Sequence, residues 1–326
     1  MDLSLGLNAG PRPALSVVVP VYNEEAVLAE LHRRLRDAAA AIGGGCELVY
    51  VDDGSTDASS RILRELHAAD PAVALLRLSR NFGKESAMSA GLRAARGETV
   101  ALVDADLQDP PELLPTMLEA WRRGADVVNM RRRSRRGESW VKRATAHAFY
   151  RVFNRLSDVA IAEDAGDFRL LSRRAVDALN ALPEQQRFMK GLFAWIGFRQ
   201  VTLDYDREPR GAGESKWRYR ALWNFALQGI TGFSVAPLKA ASYAGLLSAA
   251  AALAGALYFL LKALLYGDPV PGFPALIVSV LFLGGLQLMA LGVLGEYLGR
   301  LFVESKRRPL YLVEDYRPAR LTAKAQ

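Results

Sequence analysis

Ala101-Leu102-Val103-Asp104-Ala105-Asp106-Leu107-Gln108-Asp109 is an apolar run that delivers two carboxylates to the place where a strand should end. Side chains two residues apart on an extended chain point the same way. Two carboxylates on one side suit a hard divalent cation, and magnesium sites commonly combine one or two carboxylates with substrate phosphates. The pattern therefore predicts metal-assisted chemistry on a nucleotide diphosphate. An isolated Asp-X-Asp equally describes a solvated acidic turn, so the flanking segments decide between the two.

Outward from this stretch, strands and helices alternate. Leu15 to Val19 is apolar and rich in β-branched residues, and it ends at Pro20. Glu47 to Val51 is a second strand, running into Asp52-Asp53-Gly54-Ser55-Thr56-Asp57. Val73 to Leu78, Thr99 to Val103 and Ala125 to Met130 read as three more. Helices are predicted from Asn23-Glu24-Glu25 to about Ala41, from the turn and N-cap residues Ser55–Asp57 to about Ala69, and over Lys84–Ala95. Pro110-Pro111-Glu112 opens another, proline being tolerated in a first helical turn. Alternation of this kind predicts an α/β fold with a mostly parallel sheet covered on both faces. In such sheets ligands bind beyond the carboxyl ends of the strands. Asn23–Glu25, Asp52–Asp57 and Asp104–Asp109 all fall at that edge. Neither a Gly-x-Gly-x-x-Gly after the first strand nor a Walker sequence occurs, which argues against dinucleotide-binding and P-loop folds.

The chain of 326 residues is 51% hydrophobic, yet its mean hydropathy is only +0.05. That average hides a split. The first two thirds read as a charged soluble protein, whereas Ala240 to Leu265 is apolar except for Lys262, and Phe273 to Leu294 carries no charge. Each stretch exceeds the roughly 20 residues that span a bilayer, and core helices of soluble proteins are rarely apolar on every face over such a length. The link Tyr266–Gly272 holds Asp268, Pro269 and Pro271 but no Lys or Arg, whereas Lys239, Arg300, Lys306, Arg307 and Arg308 flank the pair. Positive residues mark the cytoplasmic side, so both long flanks and both termini are expected in the cytoplasm. Met1–Gly10 has neither a basic segment nor a long apolar run, so no cleaved leader is expected. The single Cys46 excludes an intramolecular disulfide and a cysteine-rich metal site. A net charge of +7 suits contact with anionic lipid; no nucleic-acid module is present and no nucleic-acid partner is expected.

Four motifs together resemble glycosyltransferase family 2, with its GT-A fold: Val19-Pro20-Val21-Tyr22-Asn23-Glu24-Glu25, Val51-Asp52-Asp53-Gly54-Ser55-Thr56-Asp57, Arg80-Asn81-Phe82-Gly83-Lys84 and Asp104-Ala105-Asp106-Leu107-Gln108-Asp109-Pro110-Pro111-Glu112. Downstream, Asp164-Ala165-Gly166-Asp167-Phe168-Arg169-Leu170, Arg187-Phe188-Met189-Lys190-Gly191, Gly213-Glu214-Ser215-Lys216-Trp217 and the two apolar stretches resemble the polyprenyl-phosphate glycosyltransferases, nearest to the bactoprenol glucosyltransferases of O-antigen modification. The resemblance runs from about Leu15 to Tyr316. It implies a Rossmann-like GT-A catalytic domain over 15–213 after a tail at 1–14. Amphipathic juxtamembrane helices would follow at 214–238, then transmembrane helices at 239–266 and 273–298, and a cytoplasmic tail at 299–326.

By the same resemblance, Pro20, Tyr22, Glu24, Asp53 and Lys84 bind the nucleotide of a UDP-sugar, and Asp104, Asp106 and Gln108 hold the metal. An oxygen-only ligand set fits Mg²⁺ or Mn²⁺, which neutralises the diphosphate leaving group. Arg207, Arg210, Ser215 and Lys216 are expected in a loop that closes over the diphosphate, with Lys216 catalytic. The densest cationic run, Arg131 to Arg143, reads mostly as a basic surface; within it Arg131, Arg136 and Ser139 are the candidates for gripping the phosphate of undecaprenyl phosphate. Asp167 occupies the position of a general base in relatives that glycosylate a hydroxyl. A phosphate monoester has a second pKa near 6 and hardly needs deprotonation, so Asp167 is expected to position the acceptor, the competing reading being an ion pair with Arg169. Trp217, Tyr219, Trp223 and Phe225, interleaved with Arg218 and Arg220, suit a helix at headgroup level. Arg308 to Tyr316 alternates apolar and polar residues and is expected to dock on the catalytic domain.

The expected reaction is inverting transfer of a hexose, glucose by resemblance, to undecaprenyl phosphate on the cytoplasmic face of the bacterial inner membrane. The competing enzyme readings are the same reaction with galactose, N-acetylhexosamine or an aminoarabinose derivative, and a processive synthase. The latter usually carries Gln-x-x-Arg-Trp, which Gln186-Arg187-Phe188 does not supply. A non-catalytic scaffold that keeps the fold, and a small transporter subunit, are the readings from other classes. Gly292 and Gly295 in the second apolar stretch suit helix packing, and a homo-oligomer, tetrameric by the resemblance, is expected.

Overall fold

In the computed structural model, residues 12–133, 151, 154–155, 157, 165–185, 187–206, 231–266 and 272–321 are described. The strands are β1 (Leu15–Val21), β2 (Cys46–Asp52), β3 (Val73–Leu78), β4 (Thr99–Leu102), β5 (Val127–Arg132), β6 (Ala165–Ser172), β7 (Gln200–Tyr205) and β8 (Val313–Arg317). They form one eight-stranded sheet in the order β7-β5-β6-β4-β1-β2-β3-β8. β4, β1, β2 and β3 run parallel, as do β5 and β7. β6 and β8 are antiparallel to their neighbours. The sheet is thus the mostly parallel, mixed sheet of a GT-A fold.

The central strands are buried along nearly their whole length, Pro20 in β1 being half-exposed, because helices cover both faces. On one face, Val17, Val19, Leu48 and Tyr50 pack with Leu31 and Leu35 of α1 (Leu28–Ala40), Leu63 of α2 (Ser59–Ala69) and Met117 of α4 (Leu114–Arg122). The alternate residues Val18, Val49 and Val51 face α3 (Lys84–Ala94), α5 (Arg173–Ala181) and α6 (Met189–Trp195). α3 lies so close to the sheet that a Cβ on Gly91 would come 2.2 Å from Val18 Cγ1. The first helix begins at Leu28 rather than at Asn23. Asn23 adopts φ 55°, and its side chain is committed to the loop after β2, so the helix cannot start there.

At the amino edge of the sheet, Glu47 is fully buried. Its carboxylate accepts from Ser16 Oγ at 2.7 Å, Arg96 N at 3.0 Å and Arg96 Nε at 2.8 Å. Ser16 Oγ in turn accepts from Gly97 N at 2.8 Å. This network joins the starts of β1 and β2 to the turn before β4.

Two long helices follow, α7 (Ala236–Tyr266) and α8 (Phe273–Ser305). Both contain windows long and apolar enough to cross a membrane, Ala236–Gly255 and Phe282–Ser305, and neither window is buried in protein. Among the described residues the pair is not enclosed in a core, since Leu246, Leu253, Leu288 and Leu298 are exposed. α8 runs to Ser305, and its polar last turn meets the residues before α6: Glu304 accepts from Gln185 N at 3.0 Å. Near the start of α7, Ser234 O accepts from Tyr297 Oη at 2.6 Å. The chain then returns to the sheet as expected, β8 pairing with β3 and Tyr311 buried.

Candidate active site

The loops after β1 and β2 are stitched together by short polar side chains. Asn23 Oδ1 accepts from Thr56 N at 2.8 Å, Ser59 Oγ accepts from Glu24 N at 2.9 Å, and Glu25 Oε2 accepts from Ala58 N at 2.7 Å. The left-handed φ of Asn23 makes these bonds possible, asparagine being among the few residues that tolerate it. Pro20 and Tyr22 are half-buried in and just beyond the end of β1, with Glu24 on the same loop. Asp53 begins the next loop, 3% exposed. Its two oxygens accept from Phe82 N at 2.7 Å and Gly83 N at 2.9 Å, which holds the Arg80–Lys84 loop under the β2 loop. Burial raises the Asp53 carboxyl above its ordinary value against those two bonds. Gly54 has φ 69°, and a Cβ there would meet the Arg80 carbonyl carbon at 2.5 Å, so only glycine permits the approach.

The acidic stretch turns sharply after β4. Leu107 has φ 61°, and Asp106 Oδ1 accepts from Gln108 N at 3.2 Å. Asp104 is opposite Asp167 for a simple reason of register: β4 pairs antiparallel with β6, Ala101 with Leu170 and Leu102 with Arg169. Continuing that register brings residue 104 beside residue 167. Like charges directly opposite each other are destabilising, and Lys84 resolves the conflict. Its ammonium lies 2.6 Å from Asp104 Oδ1 and 2.5 Å from Asp167 Oδ2. Burial alone would lower the Lys84 pKa, but the two carboxylates outweigh it and raise it. Burial alone would raise Asp167, but Lys84 and then Lys190 hold it well below the usual carboxylate range. Asp167 is a fixed anion here and a poor proton acceptor.

Lys84, expected among the nucleotide residues, thus bridges the acidic loop and the start of β6. Arg169 is not the principal partner of Asp167: it donates to Gly166 O at 2.7 Å and stacks over the Phe193 ring at 3.8 Å. Glu85, on the helix that Lys84 opens, was not legible as a site residue. It accepts from Met189 N at 3.2 Å, and burial with the Asp167 charge pushes it up to about 8. Arg131 forms a two-bond pair with Asp204 on β7, at 2.7 and 3.2 Å. Arg136, Ser139, Arg207, Arg210, Ser215 and Lys216 lie outside the described residues.

Among the described residues no group of three or more His, Cys, Asp or Glu is placed to hold a metal ion. Asp104 and Asp106 with the Gln108 amide still fit a hard cation whose remaining ligands come from phosphate and water. That Lys84 sits against Asp104 shows that this corner accommodates positive charge.

A model of glycosyl transferase family 2 matches residues 16–179. The chain belongs to glycosyltransferase family 2. It is 49% identical over 301 residues to an uncharacterized glycosyltransferase of Synechocystis, covering 92% of this chain and 95% of that one. It is 44% identical to the bactoprenol glucosyl transferase of Shigella phage SfV, covering 92% and 98%. A prophage bactoprenol glucosyl transferase homolog of Escherichia coli is 42% identical, with the same coverage. The family match spans Asp104, Asp106 and Asp167 alike.

Proposed function

We propose that this glycosyltransferase moves a hexose, glucose, from a UDP-sugar to a polyprenyl phosphate such as undecaprenyl phosphate. The observation that carries the reading is the end-to-end likeness, through both apolar helices, to bactoprenol glucosyl transferases at 42–44% identity. The nucleotide lies over Pro20, Tyr22, Glu24 and Asp53, and its diphosphate faces Asp104, Asp106 and Gln108. Mg²⁺ or Mn²⁺ bound there stabilises negative charge on the leaving diphosphate.

The phosphate acceptor is already an anionic nucleophile near neutral pH. One of its oxygens forms the new bond to the anomeric carbon from the face opposite UDP, the bond from that carbon to UDP breaks, and the configuration inverts. Asp167, held anionic by Lys84 and Lys190, supports a positioning role in this step. Lys84 keeps Asp104 and Asp167 at a fixed separation. Lys216, Arg207, Arg210 and Ser215 close over the diphosphate, and Arg136 and Ser139 with Arg131 take the lipid phosphate. The two long apolar helices and their basic flanks support a location in the bacterial inner membrane with the catalytic domain and both termini cytoplasmic; Gly292 and Gly295 suit packing between copies in a homo-oligomer.

The test uses full-length protein in detergent with undecaprenyl phosphate, Mn²⁺ or Mg²⁺ and a panel of labelled UDP-sugars. Label from UDP-glucose should enter the organic phase and vanish with EDTA. Label from a different sugar would replace the donor; label from none, with UDP bound, would overturn the reaction.

A further inference from the structure

Behind the acidic loop lies a buried polar chain that the reaction outlined above does not use. Asp109, directly after Gln108, is 1% exposed, and Tyr205, the last residue of β7, is 4% exposed. The Tyr205 phenol donates to Asp109 Oδ1 at 2.6 Å. The Arg132 guanidinium faces the same phenol, its positive charge opposing the rise that burial and the Asp109 carboxylate impose on it. Parallel pairing of β5 with β7 sets Arg132 beside Tyr205, and Arg133 N donates to Tyr205 O at 2.9 Å.

Both neighbours of Asp167 lean on this chain. Phe168 meets the Tyr205 ring edge-on, centroids 5.7 Å apart. At Gly166 a Cβ would sit 3.2 Å from Arg132 Nη2, so a side chain there would crowd the guanidinium. Asp109 Oδ2 and Arg132 Nε are buried without a hydrogen-bond partner among the described residues. A half-satisfied buried network is expensive as a purely structural device, and its placement suggests why this one is kept. Its three members stand at the roots of three segments: the acidic loop, the basic run that starts at Arg131, and the segment that follows β7.

We propose that Arg132, Tyr205 and Asp109 form a positioning relay that sets the acidic loop 104–108 against Asp167, so that the donor diphosphate is held in register with the acceptor. The inference rests on the reading of that loop as the diphosphate site. Directional hydrogen bonds suit the task, since a donor–acceptor chain polarises along its length and tolerates little displacement. None of the three residues touches the reacting atoms; they act through Gln108 on one side and through Gly166 and Phe168 on the other.

Tyr205→Phe removes only the hydroxyl and keeps the ring against Phe168. The measurements are UDP affinity with and without Mn²⁺ by calorimetry on full-length protein in detergent, KM and kcat for the UDP-sugar, and the thermal midpoint. Expected are a loss of Mn²⁺-dependent UDP affinity and a rise in KM, each about tenfold, with metal-free UDP binding and kcat changed less than about threefold. Unchanged UDP affinity and KM alongside a lowered midpoint would mean a structural hydrogen bond only, and would overturn the relay. Wild-type protein that binds no UDP would remove the diphosphate reading itself, an outcome separable from the first. Asp109→Asn keeps an acceptor for the phenol and is expected to hold KM within about threefold of wild type. If its loss instead equals that of Tyr205→Phe, charge rather than the hydrogen-bond chain sets the loop, and the relay is wrong.

Discussion

Buried carboxylates stand at both ends of the same sheet, and they differ in what their oxygens have left to do. At the amino edge, Glu47 is fully enclosed and its oxygens are met by Ser16, the Arg96 amide and the Arg96 guanidinium. At the carboxyl edge, Asp104 and Asp167 share one ammonium, and both keep some exposure, 19% and 17%. The first arrangement is closed and holds strands together. The second leaves acceptor capacity unused, and the cation that bridges its two carboxylates, Lys84, is on a flexible stem. Burial of charge is therefore a poor guide to function by itself; the count of remaining acceptors is the better one.

The sharpest way to break this contrast is Glu47→Ala. Removing one member of a buried ion pair strands the other, so the variant should lose about 3–5 kcal/mol of stability. Chemical denaturation would read the loss, while the folded fraction should bind UDP normally. If UDP affinity per folded molecule falls as far as stability does, the two edges are not separable. Asp106→Asn should do the reverse. Turnover is expected to drop by about 100-fold or more through loss of charge at the diphosphate, with a thermal midpoint close to that of the native chain. A large fall in midpoint would place Asp106 with Glu47.

Asp167→Asn sharpens the role of the Lys84-bound anion. We expect kcat/KM for the lipid phosphate to fall about tenfold, with the acid limb of the pH–rate profile unmoved. Disappearance of that limb would make Asp167 a proton acceptor after all. The smallest effect belongs to Glu85. Its folded pKa is raised above the ordinary 4.5 to about 8. Stability that depends on its protonation is therefore fully present below about 4.5 and is lost as the pH rises through about 8. Glu85→Gln should flatten this dependence, gaining on the native chain by about a few degrees in thermal midpoint between pH 5 and pH 9. Parallel curves for the two proteins would show that Glu85 ionises as an ordinary surface acid does.

Much of the carboxyl edge was legible before the fold. Asn23–Glu25, Asp52–Asp57 and Asp104–Asp109 follow apolar runs, and a chain leaving a buried parallel strand must expose its next polar residues at that edge. Glu85 and Tyr205 gave no such signal. One is a single acid in the first turn of a mostly buried helix, and the other ends a half-exposed strand at the edge of the sheet. β6 is also hidden in the sequence, because charged Asp167 and Arg169 interrupt the buried Phe168, Leu170 and Leu171.

The sequence alone determined the class of the molecule: alternating strands and helices, acidic loops at one edge, and two stretches too apolar and too long for a soluble core. These are local properties, set by periodicity and by the solvation of each segment. Only the tertiary structure decided which charges meet. Asp104 faces Asp167 through the antiparallel register of β4 and β6, Lys84 enters between them from the start of α3, and Tyr205 reaches Asp109 from β7. Pairings across so many residues depend on strand order and register, which the pattern of any one segment does not encode because every segment is compatible with several neighbours.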